Sequence, residues 1–190
     1  MGQPRRELIL EAARRLFHHY GPTKTTVADI AREAKVAVGT VYLEFSSKNA
    51  LLEALSRLAH ERVLQVEARA LAAEGDPAER LTRALDARLA AFLELSGTVH
   101  GPQLFHCTKA AGIRNAHGWF RAREVELFAT FLVRQAEAFA LGDLAPKDAA
   151  GALLAAYAEL APPLLFAQRR DGLRARQAAM HRLVLRGLQR

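Results

Sequence analysis

The chain has one cysteine, Cys107, in 190 residues. A single thiol excludes an internal disulfide framework and fits a reducing compartment. No apolar run approaches the roughly 20 residues that cross a bilayer. The opening MGQPRRELIL has no signal-peptide apolar core, so a cytoplasmic location and no membrane partner are expected. Aromatics are scarce at 7%, and β-branched residues do not cluster, so strands have little to build on. The histidines His100, His106 and His117 with Cys107 lack the i,i+4 or CxxC spacing that gathers metal ligands. Cys107 has no identifiable third group to orient a histidine base. Neither a metal, a cofactor nor an enzyme activity is expected.

What is present is helix-forming residues. Ala, Leu and Arg are abundant, with 51% hydrophobic and 25% charged residues overall. This supports a folded all-α chain with a real core. The net charge of +7 invites a nucleic-acid reading. Its distribution is uneven: +3 over residues 1–50, −2 over 51–168 and +6 over 169–190. Much of the excess therefore lies far from the N-terminal segment, and the global charge is weak support.

The pattern predicts about nine helices. Leu8, Ile9, Ala12, Ala13, Leu16, Phe17 and Tyr20 recur at helical spacing until Gly21-Pro22 stops the helix. Thr26 and Asp29 form a capping box for a short helix to Ala34. Lys35-Val36-Ala37 is a tight connection to a second short helix, Val38–Phe45. Ser47 caps a long helix to about Ala73, with Leu52, Leu55, Ala59 and Val66 inward. Asp76, Pro77 and Glu79 start a helix to about Ser96 that buries Leu81, Leu85, Leu89, Phe92 and Leu93. Further helices are expected over Pro102–Ala111, over His117–Leu141 closed by Gly142, and from Pro146 to about Leu160. Pro162-Pro163 must end or kink the last of these. Asp171 is expected to cap a final helix, Leu173–Leu188.

Two short helices joined by a three-residue turn, braced on both sides, make a helix-turn-helix. The second is poor in large apolar residues on its outer face, so it can enter a major groove about 12 Å wide. Gly39 within it costs about 1 kcal/mol relative to Ala, which suits a backbone that must approach DNA. The stretches Thr25–Ala31, Val36–Phe45 and Ser47–Leu52 resemble the TetR/AcrR DNA-binding signature, over about residues 7–55. The resemblance implies an N-terminal three-helix helix-turn-helix DNA-binding domain, residues 1–48. A C-terminal helical ligand-binding and dimerisation domain, 49–190, would follow.

Carried over residue by residue, the resemblance gives Thr26, Thr40, Tyr42 and Lys48 as phosphate or base contacts, with Val38 and Gly39 against base edges. Lys35, a further candidate DNA contact, stands where the family often has Gly, Ala37 lacks the family's capping hydroxyl, and Glu44 would repel phosphate. Arg5 and Arg6 read as solvated terminal charges rather than a minor-groove arm. In the body, the resemblance implies an effector pocket, for which Phe92, Leu104, Phe105, Trp119, Phe128, Phe131 and Leu154 are the candidate lining. Phe120 shares their aromatic stripe. Arg88, His106, Cys107, Asn115 and His117 are candidates to fix a polar end.

The implied protein is a ligand-responsive repressor. It would bind palindromic double-stranded operator DNA as a homodimer and be released by a small hydrophobic effector, such as an acyl or aromatic coenzyme A thioester. Residues 146–160 and 173–188 would form the dimer bundle, with Ala149, Ala152, Ala156 and Gly187 allowing close approach. The alternatives are a non-specific architectural helical protein and a Cys/His-dependent enzyme.

Overall fold

The computed structural model describes residues 4–95, 110–162, 164–167 and 171–188, which are helical almost throughout. Helix α1 (Arg5–Lys24) buries Ile9, Ala12, Ala13 and Phe17 on one side. It leaves helical geometry at Gly21, whose φ of 79° suits glycine, so the expected stop is there. Helix α2 (Val27–Glu33) begins with the expected capping box. The Thr26 hydroxyl accepts the Asp29 N–H at 3.1 Å, and the Asp29 carboxylate accepts the Thr26 N–H at 3.0 Å.

The turn that follows is closed by the Val36 N–H donating to the Ala31 carbonyl at 3.0 Å, with Lys35 at φ 56°. This is a Schellman-type stop with a lysine in the left-handed position. Helix α3 (Val38–Glu44) starts from Ala37 without a side-chain cap. Helix α4 (Lys48–Ala72) is capped by Ser47, whose hydroxyl accepts the Ala50 N–H at 3.1 Å. Helix α5 (Pro77–Leu95) starts at Asp76, which accepts the Ala78 and Glu79 N–H groups at 2.9 and 3.0 Å.

Later boundaries differ from the sequence pattern. Helix α6 runs Ala111–Arg134, starting six residues before His117 and ending seven before Leu141. Gly142 therefore does not close it; the chain turns after Arg134, and the Ala140 N–H reaches the Leu188 carbonyl at 2.8 Å. Helix α7 (Pro146–Ala156) passes into a single 3-10 turn, Ala158–Leu160. The final helix is preceded by Gly172 at φ 79°, not capped by Asp171. It comprises α8 (Leu173–Met180), a π-helical stretch His181–Leu185 and one last turn, Arg186–Leu188. The expected helix over Pro102–Ala111 lies outside the described residues apart from its end.

The inner line of α4 is also unlike the expectation. Leu52 is buried, but Leu55, Ala59 and Val66 are only half-buried. Ser56, His60, Val63, Glu67 and Leu71 are the buried residues instead, so three polar side chains lie on the inward face.

The chain divides into two compact units: residues 4–60, 95 and 110–118 among those described, and residues 61–94 and 119–188. In the first, Ile9, Phe17, Ile30, Val41, Phe45 and Leu51 form the core, joined by Ile113. Gly112 lies so close to α4 that an added Cβ would collide with the Asn49 carbonyl. Gly112→Ala is accordingly expected to cost about 1–3 kcal/mol, read as a lower urea midpoint with helix content retained.

In the second unit Leu81, Leu85 and Leu89 of α5 share the interior with Phe128 and Leu132 of α6 and Leu153 and Leu154 of α7. The Gln177 amide donates to the Leu85 carbonyl at 2.8 Å, and His181 bridges the Tyr157 hydroxyl and Asp86 at 2.8 and 3.0 Å. Ala149 is buried within the chain itself, so it cannot serve as a dimer-contact residue; Ala152, Ala156 and Gly187 are exposed.

Candidate nucleic-acid interface

Helix α3 is seven residues long and is held by two of its own side chains and its neighbour α2. Val41 and Phe45, one turn apart, are buried at 0% and 4% exposure. Their inward direction turns Val38 and Tyr42 outward, at 42% and 52% exposure, because i,i+4 pairs share a face. Gly39 is exposed, and an added Cβ there would meet nothing within 4 Å. Nothing inside the chain demands glycine at that position. Thr40 is half-buried; Thr26 and Lys35 are exposed, and Lys48 is half-buried at the first position of α4.

The same geometry brings forward Leu43, which the sequence reading did not single out, and revises the reading of Arg6. Leu43 is 88% exposed, the most exposed large apolar side chain described. It sits two residues from Val41, about 200° round the helix, which is the signal that could have marked it. Arg6 places its guanidinium 4.7 Å above the Phe45 ring, so it is docked beside the end of α3 rather than simply solvated. Hydrogen bonds from Thr26, with help from Arg32, hold the Asp29 carboxyl below its usual range. That acid lies near the face, where Glu44 is also exposed.

Of the candidate effector-lining residues, Phe92, Phe128, Phe131 and Leu154 are buried and Trp119 is half-exposed. Leu104 and Phe105 lie outside the described residues, with His100, His106 and Cys107. Phe92 meets Phe120 edge to face at 5.8 Å, whereas Phe131 meets Phe139 at 6.0 Å and lies under Arg80. Arg88 is buried in ion pairs with Glu124 and Glu67. His117 lies edge to face with His60 at 5.0 Å. Burial, then the neighbouring His117, pushes the His60 imidazole down to about 4, with its hydrogen bond to the Ser56 carbonyl opposing. Asn115 donates to Glu53 at 3.2 Å. Among the described residues no three His, Cys, Asp or Glu side chains gather as a metal-binding group, and no helix is long and apolar enough to cross a membrane.

Residues 9–55, which contain α1 from Ile9 through the start of α4, match the family described as bacterial regulatory proteins, tetR family. Over this segment the chain is similar to that family. The HTH-type transcriptional regulator TtgR of Pseudomonas putida is 44% identical over 59 residues, covering 31% of this chain and 28% of that protein. The match thus spans less than a third of the relative's length. The likeness of fold extends further than the sequence match. NalD, the secondary repressor of the MexAB-OprM multidrug efflux pump in Pseudomonas aeruginosa, aligns over 98% of this chain and 97% of its own. The TM-score is 0.62 and the identity 22%. A complex of SmeT, the repressor of the Stenotrophomonas maltophilia efflux pump SmeDEF, with triclosan aligns over 99% and 93%, with TM-score 0.64 and 22% identity. These likenesses show an N-terminal helix-turn-helix followed by a helical body.

Proposed function

We propose that this chain is a ligand-responsive transcriptional repressor that binds a palindromic operator as a homodimer and is released by a small effector. The observation that carries the reading is the division of α3, with Val41 and Phe45 inward and Val38, Gly39, Tyr42 and Leu43 left outward. In this reading Val38, Gly39 and Leu43 approach base edges and Tyr42 and Thr40 reach phosphate or bases. Thr26, Lys35 and Lys48 secure the phosphate backbone. Two copies would place their α3 helices in major grooves about 34–36 Å apart.

The dimer is assigned to residues 146–160 and 173–188. The exposed Ala152 and Ala156, together with Leu183 at 75% exposure, favour that face. A structural relative solved with triclosan supports a small-molecule effector. An anionic acyl thioester is the less favoured class, because Arg88 is already engaged by two carboxylates. No catalytic role is assigned; the relatives are named as transcriptional regulators.

A footprint on DNA upstream of the chain's own gene should show a protected palindrome. Tyr42→Ala should weaken operator binding by roughly 1–3 kcal/mol while circular dichroism and the dimer stay unchanged. Undiminished affinity would show that α3 is not the reading helix.

A further inference from the structure

Helix α3 reads Val38-Gly39-Thr40-Val41-Tyr42-Leu43-Glu44 and contains no arginine, lysine, asparagine or glutamine. Those are the side chains that grip a purine edge with two hydrogen bonds, Arg or Lys on guanine and Asn or Gln on adenine. Lys35 and Lys48 lie outside the helix. The one charged residue within it is Glu44, an acceptor, and the major-groove edge of guanine offers only acceptors. Thr40 and Tyr42 carry a single hydroxyl each, which bonds to more than one kind of base. The helix thus has no paired hydrogen-bonding group with which to select a sequence.

What it presents instead is apolar. Successive residues turn by about 100°, so the side opposite the buried pair Val41 and Phe45 belongs to Leu43. Its isobutyl group is 88% exposed, against 42% for Val38, which lies nearer the buried side. One turn before Leu43, on the same side, stands Gly39, where an added Cβ would meet nothing within 4 Å. The chain's own packing calls for neither residue. Bare backbone beside a projecting aliphatic group suits close approach to a surface with a small apolar knob of its own. On the major-groove edges of the base pairs that knob is the C5-methyl group of thymine.

We propose that Leu43 is the specificity-determining residue of α3 and selects thymine through its C5-methyl group. The proposal rests on reading the chain as an operator-binding regulator. The isobutyl group and the methyl exclude water from each other, with no hydrogen bond or charge involved. Uracil differs from thymine only in lacking the methyl, so it is disfavoured although base pairing is kept. 5-Methylcytosine carries a methyl on the same carbon, so it is preferred over cytosine at the same place. In a palindrome bound by two copies the effect counts twice.

A pool of random-sequence duplexes, carried through rounds of binding to the full chain, supplies the probe. Each thymine of the enriched duplex is then replaced by deoxyuridine, and affinity is followed by fluorescence anisotropy. At one thymine in each half-site, uracil should weaken the wild type by about fourfold, the worth of one methyl-sized group withdrawn from an apolar contact. With both half-sites changed the loss should be about fifteenfold. Leu43→Ala should bind the thymine and uracil forms equally. Truncation there removes nothing from the core, since Leu43 is exposed, and circular dichroism checks the fold. Leu43→Gln, which keeps the length and replaces the apolar tip by an amide, should lose the uracil penalty as well.

A wild type indifferent to every thymine-to-uracil change would overturn the proposal, and so would a uracil penalty that survives in Leu43→Ala and Leu43→Gln. Either result leaves the operator reading standing, because an enriched duplex has been bound. If no sequence is enriched, the operator reading falls and this proposal falls with it.

Discussion

Arg88→Leu is expected to lower the stability of the protein by about 3–5 kcal/mol, because it strips a buried guanidinium from two buried acids. At roughly 2–4 °C per kcal/mol for a chain of this length, the melting temperature should fall by about 6–20 °C. Glu124 keeps its 3.5 Å contact with Arg121, but that arginine is partly in water and repays little. Glu67 loses its one ion-pair contact. Burial and the charge of Glu124 already raise the Glu67 carboxyl well above its ordinary range, so protonation of Glu67 should shrink the defect as the pH is lowered, before the ordinary carboxyl range is reached. The joint replacement of Glu67, Arg88 and Glu124 by Leu, Met and Leu should melt near the wild type or above it, since apolar side chains of similar volume need no desolvation. Thermal melts followed by circular dichroism check all three. An Arg88→Leu midpoint equal to wild type would mean the carboxylates are not sealed as described.

Phe17→Ala should disable the first unit to a similar degree, at about 3–5 kcal/mol. Phe17 is fully buried in a cluster that includes Ile9, Ile30 and Val41. Helix α3 is too short to persist alone and has only Val41 and Phe45 buried within that cluster. Loss of the core should therefore abolish operator binding without touching any proposed contact. The osmolyte TMAO favours compact states, so it should restore operator affinity to Phe17→Ala and not to Tyr42→Ala. Fluorescence anisotropy with a labelled operator, with and without TMAO, separates the two. Equal rescue of both variants would remove Tyr42 from the proposed contact set.

The N-terminal half of the architecture was legible because its punctuation is chemical. Thr26 with Asp29, Ser47 and Asp76 each announce a helix start by a side chain that reaches backbone N–H groups, and each does so. Helix ends without such chemistry were misread. The apolar periodicity carries on past Arg134 because Phe139 is still buried, against Phe131, after the chain has left the helix. Periodicity reports which residues face inward, not whether the backbone between them remains helical. Similarly, Asp171 looks like a cap, but the left-handed Gly172 intervenes.

The reading face was largely visible from α3, except that Leu43 was passed over as an ordinary apolar residue. The polar inward line of α4 was invisible. Ser56, His60 and Glu67 are counted as surface residues by any hydropathy pattern, and only their tertiary neighbours reveal otherwise.

The division of α3 has an evolutionary consequence. Substitutions at Val38, Gly39, Tyr42 or Leu43 change what the helix shows to a duplex while leaving the packing of Val41 and Phe45 untouched. Recognition and foldedness are thus written in separate letters of one short word. A lineage carrying this chain can drift toward a new target sequence one letter at a time, without passing through an unfolded ancestor.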